Sequence, residues 1–178
     1  MESHSLFEII KEHLQHPEYL HALLRVFPVE GLALGVLSLI IALVMKSRQA
    51  QIVALILIFL CSAMTWPVVY LGEQGFDKVE SIASSNDEAH AWLEAHAYRG
   101  TRAAIVFYIL AAVSLAALLV PWKFPKARLP LSCATLLMCF LALAAGAWVS
   151  FAGGQIRHSE FRLDGMPPEK PDVYDTMH

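Results

Sequence analysis

Residues 103–122 read AAIVFYILAAVSLAALLVPW, twenty positions without a single charge. An α-helix needs about 20 predominantly apolar residues to cross the hydrocarbon core of a bilayer. A helix of that length in water would keep a polar face, and this run has none. Three further runs are of the same kind, at about 29–46, 51–71 and 129–152, and their only charges, Glu30 and Lys46, stand at the two ends of the first. Across the whole chain 57% of residues are hydrophobic and 16% charged, with a mean hydropathy of +0.52, which excludes an ordinary soluble domain. The expected fold is all-α, an integral membrane four-helix bundle made of two helical hairpins.

The charges follow the spans. The two short links, 46–50 and 123–128, carry five of the thirteen bases, no acid and no histidine. All sixteen acids and all eight histidines fall in the N-terminal segment, the central loop at 72–102 and the tail at 153–178, apart from Glu30 at a span entrance. Basic short loops stay on the cytoplasmic side. Both links are therefore expected inside, and both termini and the central loop outside. The start, MESHSLFEIIKEH, lacks a basic head, an apolar core and a small-residue cleavage site, so the first span is expected to be retained.

Within 1–16, Leu6, Ile9, Ile10 and Leu14 share one helical face and Glu8, Lys11 and Glu12 the other, the pattern of an amphipathic interfacial helix. His16-Pro17 interrupts it. A new helix is expected to run from Pro17 into the first span, with Pro28 as a kink or a first-turn residue. Gly72 and Gly75 are expected to stop the second span, and residues 76–83 to form a short amphipathic turn or two. Residues 85–88, SNDE, match a capping box. The helix that starts there can continue into the third span and carry His90 and His96 on a rigid extension. The tail is polar and proline-containing, and is expected to be mobile on its own.

The two hairpins share features. His21-Ala22 precedes the first span and His96-Ala97 the third, each followed closely by an arginine, Arg25 or Arg99. Trp66 stands six residues before Gly72, and Trp148 six before Gly154. A duplicated hairpin would relate the halves by an axis along the membrane normal and place His21 and His96 at equivalent depths, facing each other. Two imidazoles on facing helices are the usual protein ligands of a six-coordinate b-type haem. Arg99, at the entrance of the third span, would snorkel, pair with a neighbouring charge or contact a haem carboxylate. A second possible site is a transition-metal set of His21, Glu73, His96 and His158 at the outer rim. Against both stands the plain alternative that histidines at the water boundary need no ligand. His90, six residues from His96, points elsewhere and is expected to be solvated.

Other features are structural. Gly31 to Gly35 in GLALG is a close-packing face. Pro67 is expected to kink the second span and open a slot. The aromatic residues Trp66, Trp122, Trp148, Tyr70 and Tyr98 suit an interfacial belt, and Cys61, Cys133 and Cys139, all within spans, read as packing residues. Nucleotide loops, nucleophile elbows and metalloprotease motifs are missing from the sequence. An acidic outer surface argues against nucleic acid as a partner.

Taken together, His21, Phe27-Pro28-Val29 and Gly31, Gly72-Glu73, and His96 resemble a family of uncharacterised four-span bacterial inner-membrane proteins, over roughly the first 120 residues. That pattern has a histidine and Phe/Leu-Pro-Val/Ile-x-Gly opening the first span, Gly-Glu ending the second and a histidine before the third. Two polar positions differ here, with Arg25-Val26 in place of Asn-His and Ala97 in place of Glu. The resemblance implies the four-span topology and a bacterial source, and singles out His21, Glu73 and His96. It implies no activity.

The functional expectation is a small inner-membrane protein with a His/Glu-lined periplasmic site for haem b or a metal, passing electrons between a quinone pool and a periplasmic partner. It is not expected to have catalytic activity of its own. The alternative is a non-catalytic accessory subunit docked on other membrane or periplasmic subunits in the lipid bilayer. A proton-coupled transporter fits poorly, because no span carries a deep acid or base.

Overall fold

The computed structural model describes residues 6–83 and 87–162, and among these there is helix and no strand. Seven α-helices follow in order: α1 Leu6–His13, α2 Pro17–Leu24, α3 Leu32–Val44, α4 Arg48–Ala63, α5 Thr65–Ala83, α6 Asp87–Lys123 and α7 Arg128–Arg157. Short turns of other pitch stand at Phe27–Gly31, Pro125–Ala127 and Ser159–Phe161. Four continuous helical stretches are long and apolar enough to cross a membrane: Pro17–Val44, Arg48–Ser81, Glu88–Lys123 and Pro125–Arg157. The chain is thus an all-helical, multi-pass membrane bundle.

Each proline leaves a visible mark. Pro28 cannot donate to the carbonyl four residues back and its ring crowds that carbonyl. The first span answers with a π-helical turn over Phe27–Gly31 that joins α2 to α3. Pro67 has the same effect on the second span, which breaks between Ala63 and Thr65. The missing bond is the one Pro67 would have made to Ala63.

Two expectations about helix ends are overturned. Gly72 and Gly75 do not stop the second span; α5 runs through both to Ala83. Likewise α7 passes Gly153 and Gly154 and ends at Arg157, so the tail begins later than position 153. Glycine is costly in a water-exposed helix, but here it serves close approach. A Cβ on Gly75 would lie 3.1 Å from the Glu18 backbone, so this glycine lets α2 lie against α5. The extension of the third span is as expected: α6 is one helix carrying both His90 and His96. The capping box at 85–88 and the tail beyond residue 162 lie outside the described residues, as do the side chains of Leu6 and Ile9 in the expected amphipathic face of α1.

The core is built from Leu32 and Leu39 on α3, Leu55 and Ile58 on α4, Leu110 on α6, and Cys139 and Ala142 on α7, all fully buried. Helices in lipid gain little from burying apolar surface against each other, so small residues at the contacts matter more. A Cβ on Gly31 would meet Cys61 Sγ at 2.8 Å, and one on Gly35 would meet Ile58 Cγ1 at 2.8 Å, which makes GLALG the face that packs on the second span. Gly146 admits Val29 and Phe107 in the same way. The outward faces are also apolar: Leu34, Val44, Val53, Leu119 and Leu137 are exposed. Apolar side chains both inside and outside are what a lipid environment requires.

The three cysteines are free, with Cys61 and Cys139 buried and Cys133 exposed. Trp66, Trp122, Trp148 and Tyr70 are exposed near the ends of the apolar runs.

Candidate functional site

At the end of the bundle opposite the two links, α2 lies along α5 and α6 along α7. In a helix the carbonyl of residue i already accepts from the N–H of residue i+4. A bulky ring from a neighbouring helix reaches it more closely when the i+4 position carries no Cβ. The chain arranges this twice.

His21 on α2 places its Nδ1 2.8 Å from the carbonyl oxygen of Val68. Four residues on is Gly72, where a Cβ would stand 2.9 Å from that same Nδ1. His96 on α6 places its Nδ1 3.1 Å from the carbonyl oxygen of Val149. Four residues on is Gly153, where a Cβ would stand 3.1 Å from the His96 ring. A carbonyl oxygen only accepts, so each Nδ1 carries a proton and donates it. The proton is thereby held on Nδ1, and in the neutral ring Nε2 keeps its lone pair, the usual second-sphere arrangement of a metal-binding histidine.

The two rings meet. Their centres are 6.3 Å apart and their planes stand at 87°. His21 and His96 belong to the first and third spans, and their rings come together as expected. The two contacts are alike locally, and the glycine that matches Gly72 in them is Gly153, not Gly154, whose missing Cβ faces open space. Sequence reasoning missed Val68, Val149 and Gly153. Their signal was present, because residues 68–74 read VVYLGEQ and residues 149–155 read VSFAGGQ, sharing valine, an aromatic, glycine and glutamine at equal spacing.

Arg99 lies one turn deeper than His96 on α6. It is only 8% exposed, which rules out free snorkelling. Its Nη1 donates to the Trp148 carbonyl at 3.1 Å, and its guanidinium stands 5.1 Å from the Trp148 ring and 5.7 Å from the Trp92 ring. Two aromatic faces and a helix carbonyl partly replace the hydration this cation gives up.

The other expected residues do not join the pair. Glu73 follows Gly72, and a step of one residue turns it about 100° around the helix; it is exposed. His158 lies past the end of α7, exposed, with Nδ1 2.9 Å from Glu160 Oε1 and its ring stacked on Phe161. The Glu160 carboxyl is held below its usual range, first by a backbone hydrogen bond and then by His158. Among the described residues no group of three or more His, Cys, Asp or Glu is placed to hold a metal. His90 is not simply solvated, since it bridges α6 to α5 through Glu80 at 2.9 Å, with Glu94 at 3.8 Å.

One to two turns outward of the pair lies a cavity of about 640 Å³, walled by Glu18, Tyr19 and Ala22 on α2, Lys78 and Val79 on α5, Ala89 on α6, and Ile156 and Arg157 on α7. Lys78 pairs with Glu18 there. His13 and His16 also line this cavity, and neither His21 nor His96 does.

The chain matches no protein-family model, no curated protein and no solved structure. Fold and site alone define its class, a four-span membrane bundle with a paired-imidazole site at one end.

Proposed function

We propose that the protein is a redox protein of a bacterial inner membrane that holds a b-type haem between His21 and His96, near the periplasmic face. The observation that carries this reading is the pair itself: two imidazoles from different spans, each with its Nδ1 proton committed to a helix carbonyl. Two nitrogens suit haem because the porphyrin brings the equatorial ligands, whereas zinc takes three or four ligands from the protein. The two ring centres, 6.3 Å apart, are near enough that both imidazoles could hold one such group.

Bound there, the haem would supply one-electron chemistry. The chain's own residues do the rest. Val68 and Val149 orient the imidazoles through their carbonyls, and the apolar walls of the spans exclude water. Arg99 adds a fixed positive charge beside the pair, and Arg157 at the outer cavity offers a cation to a carboxylate. The basic links support a cytoplasmic placing of that end, which puts the pair where electrons could pass between a membrane quinone and a periplasmic partner.

A pyridine haemochrome assay on the purified full chain tests this reading. About one haem b per chain is expected, with loss of the pigment in His21→Ala and in His96→Ala. A colourless protein from haem-replete cells, free of transition metal by elemental analysis, would contradict it.

One observation favours a second reading. α5 and α6 continue as helices beyond the apolar runs to Ala83 and from Asp87, forming a rigid polar platform on which a larger membrane complex could dock. Purification in mild detergent separates the two: an accessory subunit arrives with partners and without pigment.

A further inference from the structure

The opposite end of the bundle carries a second, unrelated cluster. Arg48 opens α4, where Ser47 caps the helix by accepting from the Ala50 N–H at 3.3 Å. Arg128 opens α7. The two helix starts are tied through Gln51, which is 4% exposed. Its Oε1 accepts from Arg128 Nε at 3.2 Å, and its Nε2 donates to the Ala42 carbonyl at 3.4 Å.

This tie fixes the Arg128 guanidinium and leaves its terminal nitrogens for something else. It also holds Arg128 near enough to Arg48 for the two charges to repel. Arg48 Nη1 is buried and has no hydrogen-bond partner. Neither arginine has a carboxylate partner among the described residues, and the sequence offers none nearby, with no acid between positions 30 and 73 or between 94 and 160. Lys46, Lys123 and Lys126 add to the same end. Two neighbouring guanidinium groups, one with an unfilled donor and neither with a carboxylate partner among the described residues, suit a tetrahedral oxyanion.

We infer that Arg48 and Arg128 bind a phosphate group at the link end of the bundle, as carried by the headgroup of an anionic phospholipid. Basic pockets between spans at membrane depth take such headgroups. The positive ends of α4 and α7, both beginning at these arginines, act in the same direction. The lysines contribute field, while the arginines supply the planar donors that a phosphate oxygen pair fits.

The experiment is thermal unfolding of the full chain in neutral detergent with added phosphatidylglycerol, phosphatidylcholine or inorganic phosphate, together with native mass spectrometry for retained lipid. Phosphatidylglycerol is expected to raise the midpoint of the wild-type chain and to remain bound in the spectrometer. Affinity should fall about fivefold for each arginine lost in Arg48→Gln and Arg128→Gln. Lys126→Gln, on the exposed link, should change it less, and Arg48→Lys should restore only part of the loss, because it keeps the charge without the fork.

Protection of the wild-type chain, but not of the arginine variants, by inorganic phosphate alone would keep the site and make its occupant a free phosphate. Equal protection of wild type and arginine variants by all three additives would overturn the inference. Should the glutamine variants fail to fold, the wild-type chain still decides: no retained phospholipid at low salt and no protection by phosphate would overturn it as well.

Discussion

The two hairpins hold their histidines by the same device on different frames. In the second hairpin α6 and α7 are long and unbroken, with 37 and 30 residues. In the first, both spans are broken, one by the π-helical turn at Pro28 and the other at Met64 before Pro67. Yet His21 reaches Val68 O and His96 reaches Val149 O in equivalent ways. The shared element is therefore the carbonyl opened by a glycine four residues on, and not the regularity of the helix. The hairpins also differ one turn deeper, where the second has Arg99 and the first has Leu24. The pair is symmetric in its imidazoles and asymmetric in its arginines, Arg99 being buried and Arg25 exposed.

The comparison breaks most completely at the two histidines. His21→Ala and His96→Ala should each abolish haem binding, since each removes one of the two imidazoles that would hold it. Equal loss from both is expected in the haemochrome assay. Retention of a stable pigment by either variant would mean that the hairpins are not equivalent.

The next largest effect is expected at the glycines. An added Cβ at Gly72 would stand 2.9 Å from the His21 ring and at Gly153 3.1 Å from the His96 ring. Each ring is pinned to its carbonyl and cannot retreat without losing that hydrogen bond. Gly72→Ala and Gly153→Ala should each cost about 1–3 kcal/mol of stability and weaken the cofactor, with Gly72→Ala the more severe. Thermal unfolding and haem titration measure both.

Arg99 sharpens the asymmetry. A fixed cation beside the pair favours the reduced, less positive state of a redox centre, so Arg99→Gln should lower the midpoint potential. It should also cost about 1–3 kcal/mol through the lost bond to the Trp148 carbonyl. Leu24→Gln, at the matching place in the first hairpin, should leave the potential nearly unchanged in the same spectroelectrochemical titration.

The smallest effect is expected at Gly154, next to Gly153 but facing open space. Gly154→Ala should be neutral or stabilise by about 0.4–1 kcal/mol. A loss as large as that of Gly153→Ala would show that matching Gly72 to Gly153 alone is wrong.

The spans were legible because an uncharged apolar run is a one-dimensional signal, as at 103–122. The paired histidines were legible because His-Ala recurs before the first and third spans. The helix ends were not, because Gly72, Gly75, Gly153 and Gly154 carry the composition of stops in water while serving contact and length in a bundle. The carbonyls of Val68 and Val149 were not legible as partners, since a backbone acceptor has no side-chain signature. Glu73 and His158 read as neighbours of His96 at the outer rim because all three stand at span ends, but one residue of helical phase leaves Glu73 exposed, and His158, paired with Glu160, lies beyond the end of α7.

The central claim is that His21 and His96 together ligate one haem. Near-infrared magnetic circular dichroism of the oxidised, purified full chain tests it most directly, because the charge-transfer band of low-spin ferric haem identifies its axial pair. The account predicts a bis-imidazole signature that disappears in either histidine variant. A high-spin spectrum, or a bis-imidazole band that survives His96→Ala, would contradict it.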